Sequence, residues 1–301
     1  MLRLLCPLLI LLTVGPATVT AQERPLRLVT FNLLHGGPWS SFTGDDQQLE
    51  ARLDLIIEAL RALDPDVVAL QESPVTRRRG DVAARIGLAL GLGHVHARAT
   101  ERVFPPRLLG RLIVGALGFV EGPAILSRFP ITASQIHDLP RCRRWLDPRV
   151  VLRADLQTPA GDLAVFSTHT SRDDCQTRRV AELAGEVRGM PALVMGDLNT
   201  AETAPALGAF QEHGFVDLFR AAHPDTPGLT VWQRIDAPSP TVLRRVDYVF
   251  GRPGRGQQAR AVSARVVLDT PRRLGDGAVL WPSDHYGVFV ELGLVRRASA
   301  R

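Results

Sequence analysis

The chain has 301 residues, 45% of them hydrophobic and 22% charged, which excludes a low-complexity or fibrous polypeptide and is enough to bury a sizeable core. Its formal charge is +5, yet it contains no lysine, so every fixed basic side chain is an arginine. That bias, with abundant Ala, Gly, Pro and Leu, reads as a GC-rich coding composition rather than a phosphate-binding design, although a modest positive field favours an anionic substrate.

Residues 1–21 read as a secretory signal peptide: Arg3 supplies a positive start, Leu4 to Leu12 an apolar run, and Val19-Thr20-Ala21 a small-residue cleavage site. An uncleaved N-terminal anchor is the alternative. The expectation is a secreted or periplasmic protein whose residues 22–301 form one domain. No later run is long and apolar enough for a membrane-spanning helix.

Leu26 to Phe31 reads as a strand ending at Asn32, and His35-Gly36-Gly37-Pro38 as a turn. Gln48 to Leu63 carries Leu49, Leu53, Ile56, Ile57 and Leu60 at helical spacing, and Asp64-Pro65 ends it. Val67 to Leu70 is a short buried strand followed by Gln71-Glu72. A helix over 80–90 and strands at 94–98 and 124–127 come next. Val150 to Leu156 and Leu163 to His169 make a hairpin about Thr158-Pro159-Ala160-Gly161. Cys142 and Cys175, the two cysteines left after signal removal, both leave its open end. An even count in an exported chain suggests that they pair, and a bridge there would contribute roughly 3–4 kcal/mol. Helices follow at 178–188 and 204–212, and strands at 190–197, 245–250, 261–268 and 287–292. Strands and helices alternate in the first half and no linker interrupts the chain, so a single mixed α/β domain is expected.

The centre of this pattern is Val194-Met195-Gly196-Asp197-Leu198-Asn199-Thr200. If the strand continues, alternation carries Asp197 and Asn199 to the same side, where a carboxylate and a carboxamide can hold a water and an oxyanion. An Asx turn is the ordinary alternative. Polar groups also stand at other strand ends: Asn32, Glu72, His169, Asp247 and Asp284-His285. Each has a bland account. Asn32 could shape a turn, Glu72 could be solvated, and His169 could be a satisfied core histidine. Asp247 could pair with Arg244 or Arg245, and Asp284 could cap a turn. All of them abut apolar runs, which lets them converge on one face.

Seven motifs in order resemble the endonuclease/exonuclease/phosphatase superfamily. They are Thr-Phe-Asn-Leu-Leu-His-Gly (30–36), Asp-Val-Val-Ala-Leu-Gln-Glu (66–72), Ala-Ile-Leu-Ser-Arg-Phe-Pro-Ile (124–131), Ser-Thr-His-Thr (167–170), Gly-Asp-Leu-Asn (196–199), Arg-Val-Asp-Tyr-Val-Phe (245–250) and Ser-Asp-His-Tyr (283–286). The resemblance implies a four-layer α/β sandwich, two packed mixed β-sheets flanked by helices, and divalent-metal-dependent phosphoester hydrolysis. It places Glu72 and Asn32 at a Mg²⁺ or Mn²⁺ ion and Asp197 at the attacking water. Asn199 would hold phosphate or water, and His169 would be a second phosphate-contacting histidine. Asp284 would orient His285, which acts at the phosphate as base or as charged donor, and Asp247 would be a further carboxylate near the metal or His169. The mid-chain tyrosine usual in the abasic-site nucleases of this superfamily is missing, since the only tyrosines are Tyr248 and Tyr286.

The substrate is thus expected to be a phosphoester, nucleic acid or phospholipid. The apolar stretch 104–120, flanked by Arg102, Arg107 and Arg111, is either a segment packed on the sheet or a sphingomyelinase-like membrane contact. A catalytically silent binding protein on the same fold is a further alternative, against which every acid and histidine position is filled.

Overall fold

A computed structural model describes residues 24–36, 47–102, 107–142, 148–275 and 277–296. The expected signal peptide, residues 1–21, and residues 104–106 of the apolar stretch lie outside the described residues. The strand β1 (Leu26–Asn32) shows how the layers form. Its Leu28 joins a core between two sheets, while Val29 and Phe31 join a second core beneath helices. Side chains that alternate across a strand feed both faces of a buried sheet.

The first half continues through α1 (Leu49–Leu63), β2 (Val67–Thr76), β3 (Gly80–Asp81), α2 (Val82–Leu90), β4 (Gly93–His96), α3 (Arg107–Leu117) and β5 (Phe119–Ser127). Next come β6 (Ile131–Asp138), β7 (Val150–Thr158), β8 (Gly161–His169), α4 (Asp174–Gly185) and β9 (Ala192–Asp197). The last part holds α5 (Gly208–Glu212), β10 (Val216–Asp217), α6 (Leu218–Ala222), β11 (Asp247–Arg252), β12 (Gln257–Val267), β13 (Arg272–Arg273), β14 (Val279–Leu280) and β15 (Gly287–Arg296).

One sheet runs β12-β15-β1-β2-β5-β4, with β3 on β2; the other runs β10-β11-β9-β8-β7-β6. Each is mixed: β1–β2 and β8–β9 are parallel, and the remaining pairs are antiparallel. Leu28, Val67, Ile125, Val288 and Val290 of one sheet meet Leu152, Val165, Leu193, Met195 and Val249 of the other. Leu53, Ile56 and Leu60 of α1 and Ile86 of α2 cover the first sheet; Val180, Ala181 and Ala184 of α4 and Phe210 of α5 cover the second. The expected four-layer sandwich is present.

Local differences have local causes. β6 escapes the sequence pattern because it is a largely exposed edge strand of mixed polarity. The helix expected from 178 begins four residues earlier, where the Asp173 side chain accepts from Cys175 N and caps it. Cys142 and Cys175 form a disulfide with Cα atoms 6.6 Å apart. The apolar stretch is an amphipathic helix rather than a buried one: Val114 is buried, but Leu108, Leu109 and Leu112 stand 67%, 45% and 64% exposed. Among the described residues no helix is long and apolar enough to cross a membrane.

Candidate active site

Three neighbouring strands of the second sheet end together. Register pairs His169 of β8 with Asp197 of β9, and Asp197 with Asp247 of β11, so the three side chains stand in a row. From the first sheet β1 delivers Asn32, and β2 delivers Glu72 at a break in its pairing with β5 between Leu70 and Ser73. Glu72 there adopts φ +50°, a left-handed conformation that bends the strand and redirects the carboxylate. The Gln71 side chain before it instead bonds Thr30, Ala69 and Ser167, tying the two sheets beneath the site.

Asp197 Oδ2 is the hub. Asn32 Nδ2 donates to it at 3.1 Å and to Glu72 Oε1 at 3.3 Å. His169 Nε2 lies 3.2 Å from it and His285 Nε2 3.6 Å. Asn199 reaches the hub by a route other than strand alternation. The strand stops at Asp197, and Asn199, at φ +47°, donates its backbone N–H to Asp197 Oδ1 at 2.8 Å, an Asx turn. The turn reading and the site reading therefore hold together, and the Asn199 carboxamide sits 2.9 Å from His169 Nε2. Gly196 is required by close approach: a Cβ at this position would lie 2.1 Å from the Thr168 carbonyl oxygen of β8.

The partner expected for His285 is corrected. Its Nδ1 bonds Asp247 Oδ2 at 2.9 Å, whereas Asp284 accepts from Ser283 Oγ. Asp284 lies at a bend and makes no hydrogen bond to the ring of its neighbour; its charge acts on His285 after those of Asp247 and Asp197. Arg245 is not the partner of Asp247 either; it pairs with Asp217 and Glu202. Asn32 also differs from expectation: its Oδ1 accepts from Leu34 N, and it turns a donor, not an oxygen, toward the acids.

Electrostatics follow from this packing. Burial opposes the His285 imidazolium, but Asp247 and Asp197 outweigh it and raise its pKa to about 10, so the ring is a standing cation. Burial pushes Asp197 up, and Asp284 likewise. Burial also opposes ionisation of Glu72, but the neighbouring histidines and the Asn32 amide prevail and hold it at about 2. Burial and then the Arg149 guanidinium drive His169 well below its usual value. Arg149 Nη1 donates to His169 Nδ1 at 2.7 Å, which leaves the ring proton on Nε2, toward Asp197.

Two arginines here were not singled out from sequence. Arg149 directly precedes the buried β7, a faint signal in an arginine-rich chain. Arg52 has a clearer one, since it interrupts the apolar stripe of α1. Fully buried, it donates to the carbonyls of Leu33 (2.6 Å), Leu34 (2.7 Å) and Pro282 (3.0 Å), fastening the loop after Asn32 to the loop before His285.

Four carboxylates, Glu72, Asp197, Asp247 and Asp284, thus gather about His285. Ligand atoms of Asp197, Asp247 and His285 lie within 4.8 Å of one another, and Asp247 Oδ1 is buried without a hydrogen-bond partner among the described residues. Massed hard oxygens with too little counter-charge fit a divalent cation such as Mg²⁺. The other such group, Cys142, Asp173 and Cys175, has its thiols committed to the disulfide.

The fold is shared with solved structures. An endonuclease/exonuclease/phosphatase family protein from Bacteroides thetaiotaomicron is 20% identical with a TM-score of 0.67, over 90% of this chain and 97% of its own. A mannosyl-6-phosphatase from the same organism is 20% identical with a TM-score of 0.65, over 89% and 99%. D. rerio TDP2, complexed with single strand DNA product, is 16% identical with a TM-score of 0.63, over 89% and 98%. A comparison with curated protein sequences finds no match. The model of the Endonuclease/Exonuclease/phosphatase family matches residues 29–285, from within β1 to His285, and the chain therefore belongs to that family of phosphoester-hydrolysing enzymes.

Proposed function

We propose that the protein is an exported, Mg²⁺- or Mn²⁺-dependent phosphoesterase that hydrolyses phosphodiester or phosphomonoester bonds. The observation that carries this reading is the convergence of Asn32, His169, Asn199 and the Asp247-bound His285 around Asp197 Oδ2. Enzymes of the family generally depend on a divalent metal. Glu72, with Asp284 near it, would hold the ion, which when bound offsets phosphate charge and orients oxygens, while the Asn32 amide donates to Glu72 and Asp197. Asp197, the best-connected carboxylate, positions the attacking water and takes its proton. His285, kept cationic by Asp247, donates to a phosphate oxygen as negative charge develops, the charged-donor role rather than the base. His169 Nε2–H and the Asn199 amide complete the set of donors.

The decisive experiment offers the purified protein plasmid DNA, RNA, sphingomyelin vesicles and a chromogenic diester, with Mg²⁺ and then with chelator. Chelator-sensitive turnover that His285→Ala abolishes is the expected result; turnover that survives both treatments would sink the mechanism. Export is tested by sequencing the N-terminus of protein recovered outside the cytoplasm, where cleavage after Ala21 is expected. A lipid phosphodiesterase is the second reading, favoured by the outward Leu108, Leu109 and Leu112 beside exposed Arg111 on α3. Leu108→Ser with Leu112→Ser should then lower action on vesicles more than on the soluble diester.

A further inference from the structure

Trp232 stands beside the site, 43% exposed. The Cζ atoms of Arg172 and Arg244 lie over its ring, 4.5 and 4.9 Å from the centroid. All three residues are rooted in site loops. Arg172 follows His169 by three residues, and Thr170 between them bonds Asp197 O. Arg244 precedes Asp247 by three, and Val231 bridges both Arg244 and His285. Gln233 N, on the other side of Trp232, donates to Asp284 O at 2.8 Å. Arg220 and Arg245, by contrast, are neutralised by Glu202 and Asp217. Neither the Arg172 nor the Arg244 guanidinium has a carboxylate partner among the described residues.

Stacking engages the flat face of a guanidinium and leaves its N–H edge free for an oxyanion. It also limits the motion of a long side chain, so less freedom is lost when an anion binds. We infer that Arg172 and Arg244, held on Trp232, form a subsite for a second phosphate on the substrate, next to the one hydrolysed. This deepens the phosphoesterase reading and rests on it. It disfavours a choline headgroup, because a quaternary ammonium seeks an aromatic ring and here two guanidinium groups already lie over it.

The test compares the p-nitrophenyl ester of thymidine 5′-phosphate with the same ester bearing a 3′-phosphate. The protein should prefer the second, and Arg172→Gln with Arg244→Gln should cut that preference in kcat/KM roughly tenfold or more, the scale of lost charge-assisted bonds. Raising the salt concentration should erode the same preference. A preference unchanged in the double variant, with both esters affected alike, overturns the subsite. Titration of thymidine 3′,5′-bisphosphate gives a reading without turnover: roughly tenfold weaker binding in the double variant is expected, and equal binding refutes the subsite. Protein that binds with this difference but hydrolyses neither ester would refute the phosphoesterase reading and leave the subsite standing. Competition by a hexose bisphosphate separates the sources of the second phosphate, equal potency marking sugar phosphates and weaker potency nucleotides; either supports the subsite.

Discussion

Replacing Asp247 by Asn tests the charge on which the proposed mechanism depends. The rise of His285 to about 10 corresponds to about 5 kcal/mol of net preference for the imidazolium. At an effective dielectric of about 20, a carboxylate 2.9 Å away supplies gross attraction of that order, and the one at 3.6 Å about 1 kcal/mol less. Asn keeps an acceptor for Nδ1–H but removes the nearer charge, so burial regains control and His285 falls to about its free value. Near pH 8 only about 3% of the ring would stay protonated, and kcat/KM on a soluble diester should drop about 30-fold. Its alkaline limb should move from near 10 to below 7. An NMR titration of the histidine ring protons follows the same change without turnover. Asp284→Asn should shift the limb far less, as Asp284 makes no hydrogen bond to the ring. A limb that stays put in Asp247→Asn, or moves more in Asp284→Asn, refutes the assignment.

Arg52→Met should cost about 3–5 kcal/mol, because it strands the buried carbonyls of Leu33 and Pro282 and the half-buried one of Leu34; an unchanged thermal melting point would reject the clamp. Gly196→Ala forces a Cβ onto the Thr168 carbonyl and should lose roughly 3 kcal/mol or more, read as a lower urea midpoint; a parental midpoint would contradict the close approach. Glu72 ionises near 2 in the folded protein against 4.5 when free, so it stabilises the fold above about pH 4.5 by up to about 3 kcal/mol and loses this as pH falls toward 2. Glu72→Gln should flatten that acid limb in chelator-treated protein; identical limbs would show that the neighbouring cations do not hold the carboxylate.

The layered fold was legible because period-two strands and the 3.6-residue stripe of α1 report burial directly. β6 was not, since an exposed edge strand carries no such stripe. Site membership was legible at strand ends, but pairing was not. Which acid serves His285 depends on cross-strand register, and neighbours in sequence suggested Asp284 where space supplies Asp247. Arg149 stayed hidden because one more arginine among many carries little information, whereas an arginine inside an apolar stripe, Arg52, was readable in principle.

The site has a seam. Glu72 and Asn32 belong to one sheet, His169, Asp197 and Asp247 to the other, and His285 lies in the segment that leads into β15 of the first; the Asn32–Asp197 and His285–Asp247 bonds join the two sides. The pocket therefore works as an alignment gauge for the sandwich. A displacement of one sheet by about an ångström along these bonds, which measure 3.1 and 2.9 Å, would stretch them to about 4 Å, beyond hydrogen-bond range. Damage to intersheet packing at Leu152 or Val165, which belong to the core between the sheets and not to the site, would silence the enzyme while its helices and strands remained intact.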